Sequence, residues 1–161
     1  MGYDTHQDYI RQILEIKSIE TILEFGMGHY STGMLISGAG KTVSIEMQSK
    51  EWYDKIVENF GHSPKWEHHL ALGPMTWTQL KLPQKIDFGF VDGHGDSRPD
   101  CINFLMGISC PIILAHDTEY PGYCWNRIMD NPLYKRLDFK RHSNWTSLWT
   151  MDNDLVTRMT D

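Results

Sequence analysis

The sequence predicts an α/β fold: a mostly parallel sheet with helices on both faces, closed by an antiparallel hairpin at the C-terminal end. Three observations carry this. Apolar runs of strand length alternate with segments of helical periodicity, glycines punctuate the junctions, and the last forty or so residues lose the alternation. Strands joined through helices by short connections lie parallel, with the helices packed over the sheet.

Each element has its own signal. From His6 to Lys17, Ile10, Ile13, Leu14 and Ile16 fall on one side of a polar segment, which predicts a helix. Thr21–Phe25 is a first strand ending at Gly26. A helix from Ser31 to Ser37 is stopped by Gly38-Ala39-Gly40, and Thr42–Glu46 is a second strand. Lys50–Phe60 carries Trp52, Tyr53, Ile56 and Val57 at helical spacing, with Gly61 just beyond. Trp66–Leu72 is a third strand, broken by Gly73-Pro74. Ile86–Val91, apolar but for Asp87, reads as a fourth strand buried on both faces. A helix over Asp100–Met106 and a fifth strand over Pro111–Ala115 follow. Leu133–Arg141 and Thr146–Met151 are the antiparallel pair, turning at His142-Ser143-Asn144. No repeat or linker divides residues 1–161, so one domain is expected.

Composition excludes several classes. Of 161 residues, 40% are apolar or aromatic and 22% charged, the balance of a globular chain rather than a disordered one. No apolar run is long enough to cross a membrane. Met1-Gly2-Tyr3-Asp4-Thr5-His6 lacks the basic and apolar stretches of a secretion signal, and His6 stands where a myristoylation pattern needs Ser or Thr. The three cysteines, Cys101, Cys110 and Cys124, lack CxxC spacing, and their odd number argues for reduced thiols and a cytoplasmic protein. A net charge of −6 with scattered basic residues disfavours nucleic acid as the main partner. The loose cluster Lys135, Arg136, Lys140, Arg141 reads as a solvated strand edge. A small-molecule substrate is expected instead.

In an open α/β sheet, ligands sit beyond the carboxyl ends of the strands. The first such end here is Glu24-Phe25-Gly26-Met27-Gly28, followed by Ser31-Thr32. Gly26 and Gly28 permit a tight turn and a close approach of backbone to ligand, and the following helix points its positive end at the same place. Glu46 closes the second strand. A carboxylate there either accepts both hydroxyls of a ribose or is an exposed strand-end charge. Dinucleotide binders place a third glycine where this chain has Ser31.

This loop resembles motif I of the class I S-adenosylmethionine-dependent methyltransferases, whose Rossmann-like sheet also ends in an antiparallel hairpin. The resemblance implies S-adenosylmethionine as cofactor. It places Glu24 near the amino group of the methionine part and Gly26 and Gly28 against the cofactor backbone. It assigns Ser31 and Thr32 to the carboxylate, Glu46 to the ribose and Met47 to the flank of the adenine. Many relatives have an Asp after the third strand; this chain has Ala71-Leu72-Gly73.

Two more strand ends carry polar residues. The fourth runs Val91-Asp92-Gly93-His94-Gly95 and the fifth Ala115-His116-Asp117. In this sheet order Asp92, His94, His116 and Asp117 are expected to meet at the cleft; otherwise they are loop-capping aspartates with incidental histidines. The VDG and HD pairs resemble small-molecule O-methyltransferases, including those acting on sugar hydroxyls. His94 stands one place early, and Ser109-Cys110-Pro111 replaces a Gly-Gly turn. The resemblance spans Thr21 to Glu119. It implies methyl transfer to a hydroxyl, with His94 or His116 as general base, or with Asp92 and Asp117 holding Mg²⁺. Trp77, Tyr120, Tyr123, Trp125 and Trp145 are candidates to close the pocket, with Tyr120-Pro121-Gly122-Tyr123 the expected substrate loop. A shallow acceptor site would be completed by a second copy in a homo-oligomer. An enzyme that cleaves S-adenosylmethionine without methyl transfer, or a non-catalytic nucleoside-binding module, would show the same cofactor motifs.

Overall fold

The computed structural model describes residues 4–159; the sequence readings that fall on Met1, Gly2 and Tyr3, and the last two positions, lie outside the described residues. The elements run α1 (Gln7–Ile16), β1 (Ile19–Phe25), α2 (Thr32–Gly38), β2 (Ala39–Glu46), α3 (Lys50–Phe60), β3 (Trp66–Leu70), β4 (Phe88–Val91), α4 (Arg98–Gly107), β5 (Ile112–His116), β6 (Lys135–Phe139), β7 (Thr146–Thr150) and α5 (Asn153–Arg158). The strands form one sheet in the order β3-β2-β1-β4-β5-β7-β6. Its first five members are parallel, and β7 runs antiparallel to both β5 and β6. This is the expected Rossmann-like α/β fold with its terminal hairpin.

Alternation along the strands sorts the core into two layers. Ile22, Phe88, Phe90, Ile112, Leu114 and Leu148 point to the face covered by α1, α2 and α5. Leu23, Val91, Ile113, Ala115 and Trp149 point to the face covered by α4. Helix α1 has no side-chain cap at its N-terminus. Its docking rests on burial of Tyr9, Ile10 and Ile13, at roughly 1.5–3 kcal/mol per fully buried side chain. That outweighs the ~1 kcal/mol a cap supplies. Among the described residues no helix is long and apolar enough to cross a membrane.

Several boundaries differ from the sequence reading. Gly38-Ala39-Gly40 stops α2 at Gly38 as expected but leaves no loop, because Ala39 already opens β2 and pairs with Ile19. An added Cβ at Gly38 would meet the Leu14 side chain. Strand β3 ends at Leu70, and β4 begins at Phe88 because Asp87 is spent on a bracket with Thr21, its side chain accepting from Thr21 N–H at 2.9 Å. Helix α4 starts at Arg98, with Pro99 in its first turn. Helix α5, which the sequence reading omits, is capped by Asp152, whose carboxylate accepts from Asp154 and Leu155 N–H.

The strand order reverses direction between β1 and β4, and this switch point is laced by backbone bonds. Gly26 N–H donates to Ile45 O and Asp92 N–H to Phe25 O, both at 2.8 Å. Gly26 has φ +91°, and an added Cβ would stand 2.5 Å from the Asp92 carbonyl. Gly61 also has positive φ, +66°, but open space around it. Gly26→Ala is therefore expected to destabilise the fold by about 3–5 kcal/mol, and Gly61→Ala by only about 1 kcal/mol, in urea unfolding. Equal losses would mean that backbone conformation alone governs Gly26.

Candidate active site

The carboxyl ends of β1, β2 and β4 open on a cavity of about 520 Å³, a volume in the range of small-molecule sites. His6, Gly26, Met27, Gly28, Ser31 and Glu46 form much of its wall, with Gln48, Ser49, Trp52 and Asp92 alongside. An added Cβ at Gly28 would meet Ser31 Oγ at 3.4 Å and otherwise enter open space.

Glu46 is buried, not an exposed strand-end charge. Its Oε1 accepts from Gln48 N–H at 2.8 Å and Ser49 N–H at 3.1 Å, and its Oε2 from Met27 N–H at 3.3 Å. A carboxylate offers about four acceptor positions, so these bonds leave room for a ligand hydroxyl.

Glu24 is fully buried beneath the β1–α2 turn and is not on the cavity wall itself. The hydroxyls of Ser31, Thr32 and Ser44 donate to its carboxylate at 2.6, 2.9 and 2.6 Å. Burial pushes its carboxyl up to about 7 against the pull of those donors. Thr32 is likewise interior, its Oγ1 accepting from Gly28 N–H at 2.9 Å, while Ser31 alone of the pair lines the cavity. Met47 is a core residue: its sulfur sits where a Cβ on Gly93 would fall. The aromatic residues on the wall are Tyr30 and Trp52, the latter donating from Nε1 to Met27 O at 2.7 Å. Trp77, expected at the pocket, is buried edge-on against Phe25. Tyr120, Tyr123, Trp125 and Trp145 also lie off the cavity wall.

Asp92 and Asp117 do approach one cation, but it is a guanidinium. Arg98, 4% exposed, reaches Asp92 Oδ1 at 3.0 Å and Asp117 Oδ2 at 3.6 Å. Its Nε donates to Gly93 O at 3.0 Å and a terminal nitrogen to His116 O at 2.7 Å, while Tyr123 covers its face at 4.4 Å. Asn144 donates to Asp117 Oδ1 at 2.6 Å. Arg98 thus supplies to Asp92 and Asp117 the counter-charge that the expectation gave to Mg²⁺. The sequence reading missed Arg98, whose signal is a lone basic residue at the opening of a helix right after a strand end.

The histidines divide. His116 is buried; its Nε2 pairs with Thr5 Oγ1 at 2.8 Å and its Nδ1 lies 3.5 Å from both Asp92 Oδ1 and Asp117 Oδ1. Burial lowers its pKa, but the contact with Asp92 and the two carboxylate charges outweigh that and raise it above the ordinary histidine value. Asp92 shows the converse: burial pushes it up, and His116 and Arg98 hold it below the usual carboxylate range. His94 is not brought to the cavity wall; its carbonyl accepts from Ser97 N–H and Oγ. His6, unanticipated, is on the wall, 2% exposed, and burial drives it down to about 4 against the charge of Asp92. Its distance in sequence from every other site residue hid it.

No protein-family profile and no curated protein matches the chain. Solved structures do resemble it. An O-methyltransferase from Bacillus cereus, in complex with SAH, is 18% identical over 91% of this chain and 80% of that one, with a TM-score of 0.72. The O-methyltransferase TomG from Streptomyces achromogenes, in complex with SAM, is 16% identical over 91% and 80%, at 0.67. An rRNA methylase from Streptococcus thermophilus is 13% identical over 89% and 93%, at 0.63. At these identities the likeness is one of fold, and the fold is the methyltransferase one.

Glu24 makes the site's stability depend on pH. Its folded pKa of about 7 exceeds the ordinary 4.5, so the folded chain binds the extra proton. The resulting stability is fully present below about pH 4.5 and is lost as pH rises through about 7. Glu24→Gln, which stays neutral, should gain on the parent chain by up to about 3 kcal/mol between pH 4 and pH 8. The contribution of His6 has the opposite sign and cancels in the difference. Urea unfolding of both chains at the two pH values measures it; a pH-independent gap would mean that Glu24 is ionised throughout.

Proposed function

We propose that the chain is an S-adenosylmethionine-dependent methyltransferase acting on a hydroxyl group of a small molecule, as a single domain in the cytoplasm. The observation that carries the reading is the Glu46 carboxylate, buried at the end of β2 yet opening on the cavity built by the β1–α2 turn. That is where the shared fold accepts a ribose, and the acceptor position left on Glu46 fits one. Gly26, Gly28 and Ser31 would hold the methionine part, and Gln48, Ser49 and Trp52, on the same wall, would flank the adenosine.

The cofactor would supply an electrophilic methyl group on a sulfonium. The protein's share is to hold the acceptor oxygen in line and to receive its proton, and positioning of this kind supplies several kcal/mol. Asp92 suits both tasks. It is half-buried on the cavity wall, ionised at neutral pH, and fixed by Arg98. Its low basicity is adequate, because an alcohol oxygen becomes strongly acidic as it acquires a methyl group. The names of the neighbours support O-methylation, and the net charge of −6 favours a small acceptor over the rRNA substrate that the name of one neighbour indicates.

Glu46→Ala is expected to weaken S-adenosylhomocysteine about 30-fold, the ~2 kcal/mol of a lost charged hydrogen-bond partner. Gly28→Val should abolish binding while the circular dichroism spectrum persists. Calorimetry showing parental affinity in both variants would remove the cofactor from this cavity. Incubation with S-adenosylmethionine and a panel of sugar and phenol hydroxyl compounds, read by mass spectrometry, then tests the transfer.

A further inference from the structure

Two imidazoles and a carboxylate converge at the floor of the cavity. One donor atom each from His6, Asp92 and His116 lies within 4.8 Å of the others, and this is the one such trio of His, Cys, Asp or Glu among the described residues. Both ring nitrogens of His6 are buried without a partner. A buried polar atom without a partner is unfavourable, and a bound ion would satisfy one of the two. Packing against Phe90 at 5.1 Å and His116 at 4.6 Å holds the His6 ring in place.

The surroundings match what orients ligands on a metal. The bond from His116 Nε2 to Thr5 leaves Nδ1 facing Asp92, at 3.5 Å. Two donors on one tetrahedral ion, with bonds of about 2.0–2.2 Å, stand about 3.3–3.6 Å apart. The Arg98 bond to Asp92 is of the kind that steadies a ligating carboxylate. Arg98 does not exclude a dication, because Asp92 and Asp117 together carry two negative charges against its one.

We infer that His6, Asp92 and His116 form a binding site for a transition-metal dication of the Zn²⁺ or Co²⁺ kind. Two nitrogens and one oxygen make a borderline donor set, suited to those ions and ill-suited to Mg²⁺. His6 and Asp92 lie on the cavity wall, so the remaining position would open towards a ligand. The inference stands on the donor set alone and does not require the methyl-transfer reading.

The test uses the full chain, stripped by chelator and titrated with Co²⁺ alone. One equivalent should bind with a visible absorption band of nitrogen ligation, be displaced by Zn²⁺, and be indifferent to millimolar Mg²⁺. His6→Gln, His116→Gln and Asp92→Asn should each weaken Co²⁺ about 100-fold or more, while exposed His62→Ala should not. Circular dichroism confirms that each variant is folded, and His6→Ala serves if the Gln variant is not. Absence of Co²⁺ and Zn²⁺ binding, or binding untouched by substitution of both His6 and His116, overturns the site. S-adenosylhomocysteine affinity, measured in parallel, reports separately on the cofactor reading.

Discussion

A guanidinium buried where β4 and β5 end is the constraint on which the cavity floor depends. Taking a cation out of water costs several kcal/mol even after relaxation, so Arg98 is tolerable only with its donors and charge matched. The match comes from both strand ends: the Gly93 carbonyl and the Asp92 carboxylate on one side, the His116 carbonyl and Asp117 on the other. Arg offers a rigid planar fork of donors that can bridge two strand ends at once, whereas a lysine ammonium would reach one. Tyr123 closes the exposed face of the fork, tying the loop after β5 to the same group. Neither the position of Asp92 nor the direction of the chain at Asp117 would survive its removal unchanged.

The other buried charge, Glu24, works on the opposite wall by a different route. It has no cation beside it; three hydroxyls donate to it instead. Two of them, on Ser31 and Thr32, belong to the turn and helix start after β1, so the carboxylate pins that turn from beneath. Ser44 is oriented in turn by Trp66 Nε1–H at 3.0 Å. Hydroxyl dipoles offset the desolvation of the carboxylate only in part, which is why its pKa is raised while that of Asp92, paired with Arg98, is lowered.

The fold was legible because its strands are buried on both faces and read as apolar runs, as at Phe88–Val91 and Ile112–His116. Boundaries failed where no loop intervenes or a polar side chain is spent at a strand edge, as at Ala39, which opens β2 directly after Gly38, and at Asp87. In the site, sequence placed Gly26, Gly28, Ser31, Glu46 and Asp92 on the cavity because strand ends and turns are local features. That Glu24 and Met47 face the interior was not legible, because neither the last residues of a strand nor the turn after it carries an apolar alternation that marks the face. Arg98 and His6 were illegible for a third reason: each is defined by partners remote in sequence, and no spacing rule links His6 to Asp92 and His116.

The β1–α2 turn shows how a polar segment can be held in one conformation. Residues 26–31 are braced by Glu24 through Ser31, by Glu46 at Met27 N–H, and by Trp52 at Met27 O. Gln7 adds a fourth brace from α1, its amide donating to Tyr30 O at 2.9 Å. Bracing from the interior, from β2, from α3 and from α1 removes much of the ordering cost that binding would otherwise carry. The weakest of these bonds is the 3.3 Å contact between Glu46 Oε2 and Met27 N–H. It is also the one made to Glu46 Oε2, the oxygen with fewer protein donors, where under the proposed reading a ribose hydroxyl would arrive, and the remaining braces do not involve that oxygen.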